Sequence, residues 1–334
     1  MNPRLTPLQK RLCNILQDGL PVCSKPFAEI AKLLDSSEEN VLKEIRELKK
    51  AGVIRRLGAV INYRTLGKAG TLVTTHVPEE DVQGVAAAVN ELSGVSHNYL
   101  RKHHYNLWFT LQKNSQAEID TVLRELSARF GIDFHSLPVE QSFKLDVRFD
   151  VANGEGVAVN GGSTSLTTGG IKAQIPKAKD VELNEKQKQI LSGLQNELQI
   201  VEKPFEFLCD GKLNQQDVFK IINFLLEKGV VSRIGAIVDH YKLGFVANVM
   251  FVCAVPEERI IEAGNALANF SMVSHCYQRK TFEGWPYNLF AMMHALSMSD
   301  IQRTIDEFTA AEKIDSYELL PTVAELKKHP VRQL

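Results

Sequence analysis

Two segments of this sequence place carboxylate-binding and proton-transferring side chains at alternating positions. In VSHNYLRK, the residues His97, Tyr99 and Arg101 would share one face of a strand, because successive strand side chains point to opposite faces. The segment VSHCYQRK repeats the spacing with His275, Tyr277 and Arg279. Arginine offers a planar fork to a carboxylate, and imidazole donates or accepts a proton near physiological pH. The spacing therefore predicts an anion-binding sheet face that occurs twice.

The turn after the first segment adds cations and titratable rings. Arg101, Lys102, His103, His104 and Tyr105 are consecutive in the chain and lie at the tip of a predicted hairpin. Such a group favours a polyanionic ligand, and the histidine pair suits acid–base chemistry or iron ligation. A solvated hairpin tip with a cluster of surface charge fits the same composition.

The matching turn in the second segment has different chemistry. Its Tyr-Asn-Leu triplet lies 182 positions after the first one, whereas the preceding segments are 178 positions apart, so four residues are inserted. The insertion has no histidine and instead carries Phe282 and Trp285. Trp285 fits three roles: a flat surface for a ligand, a core plug or a loop anchor.

These segments belong to a repeat that runs through the chain of 334 residues. Lys25-Pro26-Phe27 returns as Lys203-Pro204-Phe205, and Val77-Pro78-Glu79-Glu80 returns as Val255-Pro256-Glu257-Glu258, both 178 positions later. Collinear matches at nearly constant spacing are typical of two diverged copies of one unit. Between the copies, the glycine-rich stretch NGEGVAVNGGSTSLTTGG predicts a flexible linker.

The first part of each copy is predicted to be helical. Thr6-Pro7-Leu8-Gln9 and Ser36-Ser37-Glu38-Glu39 both match a helix capping box. Another short helix is expected around residues 26–34, and residues 53–62 alternate like a small hairpin. The predicted caps and terminator of the second copy are Asn184, Asn214 and Gly229. Three short helices followed by a hairpin predict a winged helix-turn-helix.

The second part of each copy predicts strand, helix, strand, strand, helix, strand, which is the ferredoxin-like order. The predicted fold class is therefore α+β, a tandem repeat of a winged helix-turn-helix plus a ferredoxin-like βαββαβ domain. The expected boundaries are 1–66 and 67–152 for the first copy, 153–180 for the linker, and 181–244 and 245–334 for the second copy.

Composition and charge limit the functional classes. The chain has 39 Lys and Arg against 40 Asp and Glu, a net charge of −1, and 44% hydrophobic residues, as in folded globular proteins. It has no apolar run long enough to span a membrane and no apolar leader. Its five cysteines include no CxxC pair, unlike a disulfide framework or a zinc or iron–sulfur site. We expect a cytoplasmic protein with no metal site of its own and no membrane partner.

The predicted recognition helices are poorly suited to DNA. Residues 36–50 carry four Glu against four Lys or Arg, and the helix begins with Glu38 and Glu39, where DNA-reading helices meet the groove. Residues 214–228 carry only four charges and many large apolar side chains. We therefore expect no DNA partner, and we expect the second of these helices to be buried against protein.

The strings HNYLRKHHYNLWFTL and HCYQRKTFEGWPYNLFAMMHA resemble the two subunits of siroheme decarboxylase. The architecture resembles that of the Lrp/AsnC regulators. Siroheme decarboxylases have the same architecture but are enzymes. The resemblance covers both copies except the linker. It implies a natural fusion of the two subunits, whose halves pair within the chain as a pseudo-dimer and whose fused chains can form a further homodimer.

The resemblance implies loss of carbon dioxide from the acetate side chains on rings C and D of siroheme, giving 12,18-didecarboxysiroheme in haem d1 or alternative haem b biosynthesis. The iron enters with the substrate, and no further cofactor is expected. A tip histidine is expected to donate a proton, while Arg and Lys hold carboxylates. The implied catalytic residues are His103, His104, Arg101 and Tyr105. The implied substrate-binding residues are Lys102, Arg279, Lys280, Trp285, Tyr287, His97, His275, Arg55 and Arg56.

Two other functional classes stay open. A ligand-responsive regulator of the Lrp/AsnC type would bind its own promoter in a salt-sensitive manner, and a non-catalytic tetrapyrrole carrier would bind siroheme without loss of mass. Whether a histidine ligates the iron, and whether one half or both halves catalyse, is also left open by the sequence.

Overall fold

A computed structural model describes residues 4–145, 148–149, 151, 181–211 and 213–328. The helices of the first copy are α1 Pro7–Asp18, α2 Pro26–Leu33, α3 Glu38–Lys50, α4 Val82–Glu91 and α5 Gln116–Phe130. Its strands are β1 Ile54–Ile61, β2 Ala69–Thr75, β3 Val95–Arg101, β4 Leu107–Lys113 and β5 His135–Leu145. The predicted linker, residues 153–180, lies outside the described residues.

The second copy repeats this order. Its helices are α6 Glu185–Leu194, α7 Gln215–Glu227, α8 Ile260–Asn269 and α9 Met298–Glu312. Its strands are β6 Val231–Val238, β7 Ala247–Cys253, β8 Val273–Arg279, β9 Leu289–Ala295 and β10 Tyr317–Lys328. The predicted fold class is confirmed.

Side-chain caps set where the helices of the helix-turn-helix units begin. The Thr6–Gln9 capping box is present, and Asn184 and Gln187 form the same box in the second copy. The predicted box at residues 36–39 is wrong, because Ser37 rather than Ser36 caps α3 by accepting from the Asn40 N–H. The middle helix of the second copy is reduced to a 3-10 turn at Glu206–Leu208.

The predicted wing hairpin is also wrong. Residues 54–61 form one strand, β1, which pairs antiparallel with β6 of the other copy and places Gly58 opposite Gly235. An unpaired strand edge can form ladder hydrogen bonds with any strand that lies beside it, and here that strand is β6 of the second copy. The wing is therefore a two-stranded ribbon to which each copy contributes one strand.

The two ferredoxin-like sheets close into one barrel. The strand order is β10-β3-β4-β2-β5-β8-β9-β7, with each copy contributing four neighbouring strands. The long strands β5 and β10 continue beyond their own sheets to pair with β8 and β3 of the other copy. The two halves therefore pair within the chain, as predicted for a pseudo-dimer.

The strands separate an outer core from an inner one. Alternate residues of the strands, such as Phe109 and Met293, pack with the helices of their own copy. The residues between them form a cluster that includes Trp108, Leu137 and Phe290 from both copies. Because neighbouring strand residues point to opposite faces, this second cluster lies inside the barrel.

The helical units pack against each other and form one shared core. Val218, Ile222 and Leu225 of α7 are buried in this core, as predicted for a helix that faces protein. Within the described ranges, none of the helices has the length and apolar character that a membrane span requires.

At Gly235 the ribbon packs so closely against α1 that there is no room for a side chain. A Cβ at this position would lie 2.4 Å from the Leu16 carbonyl oxygen of α1, a backbone atom that has little room to shift. Gly235→Ala is expected to lower the free energy of unfolding by about 2–3 kcal/mol, measured by denaturant titration. The control is Gly84→Ala on α4, where a Cβ meets nothing within 4 Å, and it is expected to raise that free energy by about 0.5–1 kcal/mol. Equal unfolding midpoints for the two variants would contradict this packing.

Candidate functional site

The inner face of the barrel holds a buried cation from the first copy. Arg101, at the end of β3, is 4% exposed. Its Nη1 donates to the Leu320 carbonyl oxygen at 2.7 Å and to Thr322 Oγ1 at 3.2 Å, and its guanidinium lies over the Tyr99 ring at 5.3 Å. Arg101 Nε is buried without a hydrogen-bond partner. One donor of this guanidinium is thus available to a ligand.

The second copy repeats this arrangement at Arg279. Its Nη1 donates to the Leu137 carbonyl oxygen at 2.8 Å, and its guanidinium lies 5.1 Å from the centre of the Tyr277 ring. Its Nε is also buried and lacks a partner. Each copy therefore anchors its arginine to the long strand of the other copy and leaves the same nitrogen unsatisfied.

Burial sets the protonation states of these groups. It lowers the pKa of Arg101 and of Arg279 to about 10, so both guanidinium groups remain cationic at neutral pH. It raises the pKa of Tyr277 to about 12 and also raises the pKa of Tyr99, so both phenols keep their protons. Each arginine thus lies beside a neutral hydrogen-bond donor.

The predicted histidines lie on the same inner face. The His97 and Tyr99 ring centres are 6.1 Å apart, and those of His275 and Tyr277 are 6.0 Å apart. In each histidine, Nδ1 lies 2.8 Å from the hydroxyl oxygen of the preceding serine. Burial, together with the positive charges of Lys328 and Arg55, lowers the pKa of His97 to about 4. His97 is therefore a neutral imidazole at neutral pH.

The hairpin tip lies at one end of the barrel, where His103 has both ring nitrogens engaged. Nδ1 accepts from the Tyr105 backbone N–H at 2.9 Å, so Nε2 carries the ring proton and lies 2.8 Å from Glu318 Oε2. Glu318 Oε1 accepts from the Tyr287 hydroxyl at 3.0 Å. Glu318 and Tyr287 belong to the second copy, so this chain of hydrogen bonds holds the tip against the other half.

The other tip residues are more accessible or belong to ring contacts. His104 is exposed, and its ring stacks on His76 with centres 4.2 Å apart. Tyr105 contacts His135 and Phe282 edge-on, with ring centres 5.5 Å and 5.4 Å away. The histidines His76 and His135, which are isolated in sequence, therefore gather around the tip.

Trp285 is the plug at this end of the barrel. It is 2% exposed. The centres of six rings, which come from both copies, lie within 6.2 Å of its own ring centre. The rings around it are His103, Tyr105, Trp108, Phe282, Tyr287 and Phe290. A macrocycle has no open face of Trp285 to stack on in this conformation. Of its three predicted roles, the core plug matches this packing.

The Tyr-Asn-Leu motif has a structural role that its sequence does not disclose. Asn106 Oδ1 accepts from the Val77 N–H at 2.9 Å, and Asn106 Nδ2 donates to the Val77 carbonyl oxygen at 2.8 Å. Asn288 makes the same pair of bonds with Val255, also at 2.9 Å and 2.8 Å. The asparagine of the motif thus pins each hairpin to the end of the neighbouring strand.

The remaining predicted residues lie in three different settings. Lys102 and Lys280 are exposed at the tips. Arg55 pairs with Asp239 at 2.8 Å and with Glu325 at 3.5 Å. Arg56 donates to the carbonyl oxygen of Gln195 at the end of α6, at 2.8 Å, and to that of Ala59 on β1, at 3.2 Å, so both acceptors lie outside the barrel.

The predicted site residues therefore occupy two levels. The inner level contains the His-Tyr-Arg sets of β3 and β8, and the outer level contains His103, His104 and the two lysines. Trp285 and Phe290 lie between the levels, since Trp285 contacts His103 and Phe290 lies 5.6 Å beneath the Arg279 guanidinium. Sequence reasoning missed Glu318, which is 215 positions from its partner His103 and carries no local signal.

Among the described residues, no three His, Cys, Asp or Glu side chains are grouped as a metal ion would require. Helix α3 faces the second copy, because Lys49 pairs with Glu197 and Arg46 donates to the Ile200 carbonyl oxygen at 2.8 Å. Part of its polar surface is therefore already in contact with protein.

Family models match most of the folded parts of the chain. Residues 65–144 and 242–327 match the AsnC-like ligand binding domain. Residues 9–55 match the siroheme decarboxylase NirDL-like HTH domain. The two matches correspond to the barrel and to the first helical unit.

Several relatives match over nearly their full length. A siroheme decarboxylase of Hydrogenobacter thermophilus is 33% identical, with 95% of this chain and 92% of the relative covered. The siroheme decarboxylase NirDL subunit of Paracoccus denitrificans is 30% identical, with 92% and 90% covered. The NirD subunit of Pseudomonas aeruginosa is 39% identical and matches 42% of this chain with 94% of its own length.

Solved structures match in the same way. The crystal structure of the siroheme decarboxylase NirDL gives a TM-score of 0.72 at 30% identity, with 98% of this chain and 94% of that chain covered. Its co-complex with an iron-uroporphyrin III analogue gives a TM-score of 0.70 with the same coverage.

Proposed function

The chain belongs to the siroheme decarboxylase family, and from this premise we propose how its barrel performs the carboxy-lyase reaction. The activity is removal of the two acetate carboxyl groups on rings C and D of siroheme. The observation that carries the proposal is the pair of guanidinium groups on the inner face, Arg101 and Arg279, each with a buried Nε that has no hydrogen-bond partner. A polycarboxylate supplies the acceptors that these donors lack.

The inner level is where the substrate carboxylates bind. A carboxylate that enters the barrel loses its hydrogen bonds to water and gains hydrogen bonds from the guanidinium groups and from the phenols of Tyr99 and Tyr277. Both interactions strengthen in a setting that excludes water, because the effective dielectric constant is lower there. The lysines Lys102 and Lys280 remain at the outer level, where they attract the polyanion before it enters.

Each decarboxylation consumes one proton. The acetate loses carbon dioxide, the electron pair of the broken carbon–carbon bond enters the conjugated macrocycle, and a proton completes the methyl group. The macrocycle itself accepts the electrons, so the reaction needs no separate cofactor and the protein supplies carboxylate binding and a proton. Two turns of this step release two molecules of carbon dioxide.

We infer that the proton comes from the inner level, through His97 or His275. His97 is neutral in the free protein, but a carboxylate bound beside it would raise its pKa, because an opposite charge favours imidazolium. Protonation of this histidine is then coupled to substrate binding. His103 is less suited to donate, since its Nε2 proton already faces Glu318 and its Nδ1 accepts a hydrogen bond. His104 is the alternative donor, because its side chain is exposed.

Three properties complete the proposal. No DNA partner is inferred, which the contacts of α3 with the second copy support. A cytoplasmic location is inferred from the five cysteines, which are all free thiols. A homodimer of fused chains is compatible with a barrel that is already closed by the two halves of one chain.

The deciding experiment is anaerobic turnover of siroheme with products resolved by mass. The variants are His97→Gln, His275→Gln, His103→Gln and His104→Gln. We expect the inner pair to lower the rate by about 100-fold and the outer pair by less than about 10-fold. Full double decarboxylation by His97→Gln and His275→Gln, with loss in His104→Gln, would move the donor to the outer level. Binding without loss of mass by the parent protein would instead indicate a tetrapyrrole carrier.

A further inference from the structure

The first copy contributes a second guanidinium beside Arg279. Arg64 lies in the 3-10 turn Tyr63–Leu66 that follows β1, and the Asn62 side chain caps this turn by accepting from the Arg64 N–H at 3.3 Å. Arg64 Nη2 donates to the Val139 carbonyl oxygen at 3.3 Å, while Arg279 Nη1 donates to the Leu137 carbonyl oxygen at 2.8 Å. Carbonyl groups two residues apart on a strand point the same way and lie about 7 Å apart, so the two guanidinium groups lie along one side of β5.

Within the described residues, these two cations have no acidic partner of their own. In the part of the chain that the structure describes, the contacts recorded for Arg64 and Arg279 are with carbonyl oxygens and aromatic rings, and none is with a carboxylate. Arg279 Nε is buried and unpartnered. Like charges in a poorly solvated setting repel one another, and an anion bound between them removes that cost.

The corresponding region of the first copy is built differently. Opposite Tyr99 in the β10–β3 ladder stands Glu325, which pairs with Arg55 at 3.5 Å and with Lys328 at 3.4 Å. Asp239 supplies a second carboxylate to Arg55 at 2.8 Å. Arg55 and Lys328, the cations that accompany Arg101 in this region, therefore already have carboxylate partners.

The second copy has no such acid at the matching position. Opposite Tyr277 in the β5–β8 ladder stands Ser142, and opposite His275 stands Leu145. Directly opposed strand residues share a face, so Ser142 occupies the place that Glu325 has in the first copy. The two regions thus share a backbone arrangement, but the one around Tyr277 lacks the negative charge that Glu325 brings to the one around Tyr99.

We propose that Arg64 and Arg279 together form the main carboxylate-binding pocket of the barrel, and that the first-copy pocket holds substrate less tightly because the acids there already pair with Arg55 and Lys328, the cations that accompany Arg101. The ligand is a carboxylate side chain of the tetrapyrrole, so the inference rests on the proposed function. It adds Arg64 as a binding residue and makes the two halves unequal in affinity.

The test measures binding separately from turnover. Iron-uroporphyrin III is titrated into the full chain and its Kd is read from the absorbance change. Arg64→Gln is expected to weaken binding by about 10- to 100-fold, the loss typical of one charge-assisted hydrogen bond. Arg64→Lys keeps the charge and is expected to lose less than Arg64→Gln. The control is Arg124→Gln on the exposed side of α5, whose Kd is expected to stay within about twofold.

A second variant tests the charge argument without removing a guanidinium. Ser142→Glu gives the second pocket the acid that the first one has, and it is expected to weaken binding as much as Arg64→Gln does. Because it leaves both arginines in place, it keeps the test decisive if Arg64→Gln does not fold. Binding within twofold of the parent protein for Ser142→Glu, together with unchanged binding for any folded Arg64→Gln, would overturn the inference. Failure of the parent protein to release carbon dioxide would overturn the proposed function while leaving this comparison of Kd values readable.

Discussion

Arg279→Met is expected to lower kcat/KM for siroheme by about 10- to 100-fold. A charge-assisted hydrogen bond to a substrate carboxylate is worth about 1.5–3 kcal/mol, and methionine keeps the length and apolar stem of the side chain while removing that bond. The loss is expected chiefly in KM, because the guanidinium holds the carboxylate both before and during the reaction. The measurement is initial-rate kinetics under anaerobic conditions.

The matched comparison is Arg101→Met in the first copy. Arg101 Nη1 has two acceptors on β10, Leu320 and Thr322, so its removal is expected to lower the free energy of unfolding more than removal of Arg279 does. Its effect on KM is expected to be the smaller of the two. Arg303→Met, at a surface position with 77% side-chain exposure, serves as the control for both. A KM for Arg279→Met equal to that of the control would contradict a binding role.

Trp285→Ala is expected to lower the free energy of unfolding strongly. The side chain is 2% exposed and lies among aromatic rings from both copies, so truncation leaves a large cavity in the inner core. Comparable substitutions of buried aromatic residues cost about 3–5 kcal/mol of the free energy of unfolding. Denaturant unfolding measures this loss, and Glu283→Ala in the same insertion is an exposed control expected to change it by less than about 0.5 kcal/mol.

The same variant distinguishes a core plug from an aromatic surface that contacts the macrocycle. A plug predicts a large loss of stability and, at temperatures where the variant is folded, a KM for siroheme within a few-fold of the parent value. An aromatic surface for the macrocycle predicts the reverse. Unchanged stability with a KM raised at least tenfold would show that the loop opens and that the tryptophan contacts substrate.

The sequence predicted those features that depend on local spacing. The alternation of His97, Tyr99 and Arg101 put them on one face, since the twofold period of a strand needs no knowledge of its neighbours. The repeat then predicted the same set around Arg279. The strand and helix order of the barrel followed from hydrophobic periods in the same way.

Features that depend on distant partners were not accessible to this reasoning. Alternation in residues 53–62 indicates strand structure but does not identify the partner, so a local hairpin was predicted where β1 pairs with β6. Similarly, consecutive tip residues were assigned to one site, although the Arg101 side chain points into the barrel and His103 contacts Glu318 at its end. Trp285, which contacts His103 there, comes from the other copy and was equally inaccessible to local spacing.

The cross-copy ladders also determine how the protein must be made. β1, β3 and β5 of the first copy all pair with strands of the second copy, so these three ladders form only after the second copy begins to be synthesised, and the β3–β10 ladder forms only when synthesis is nearly complete. Contacts of such long sequence separation form slowly, and unpaired strand edges promote association with other chains. Two nascent chains can therefore exchange halves, since a second molecule offers the same complementary strands. A covalent link between the copies raises the local concentration of the correct partner and favours closure within one chain.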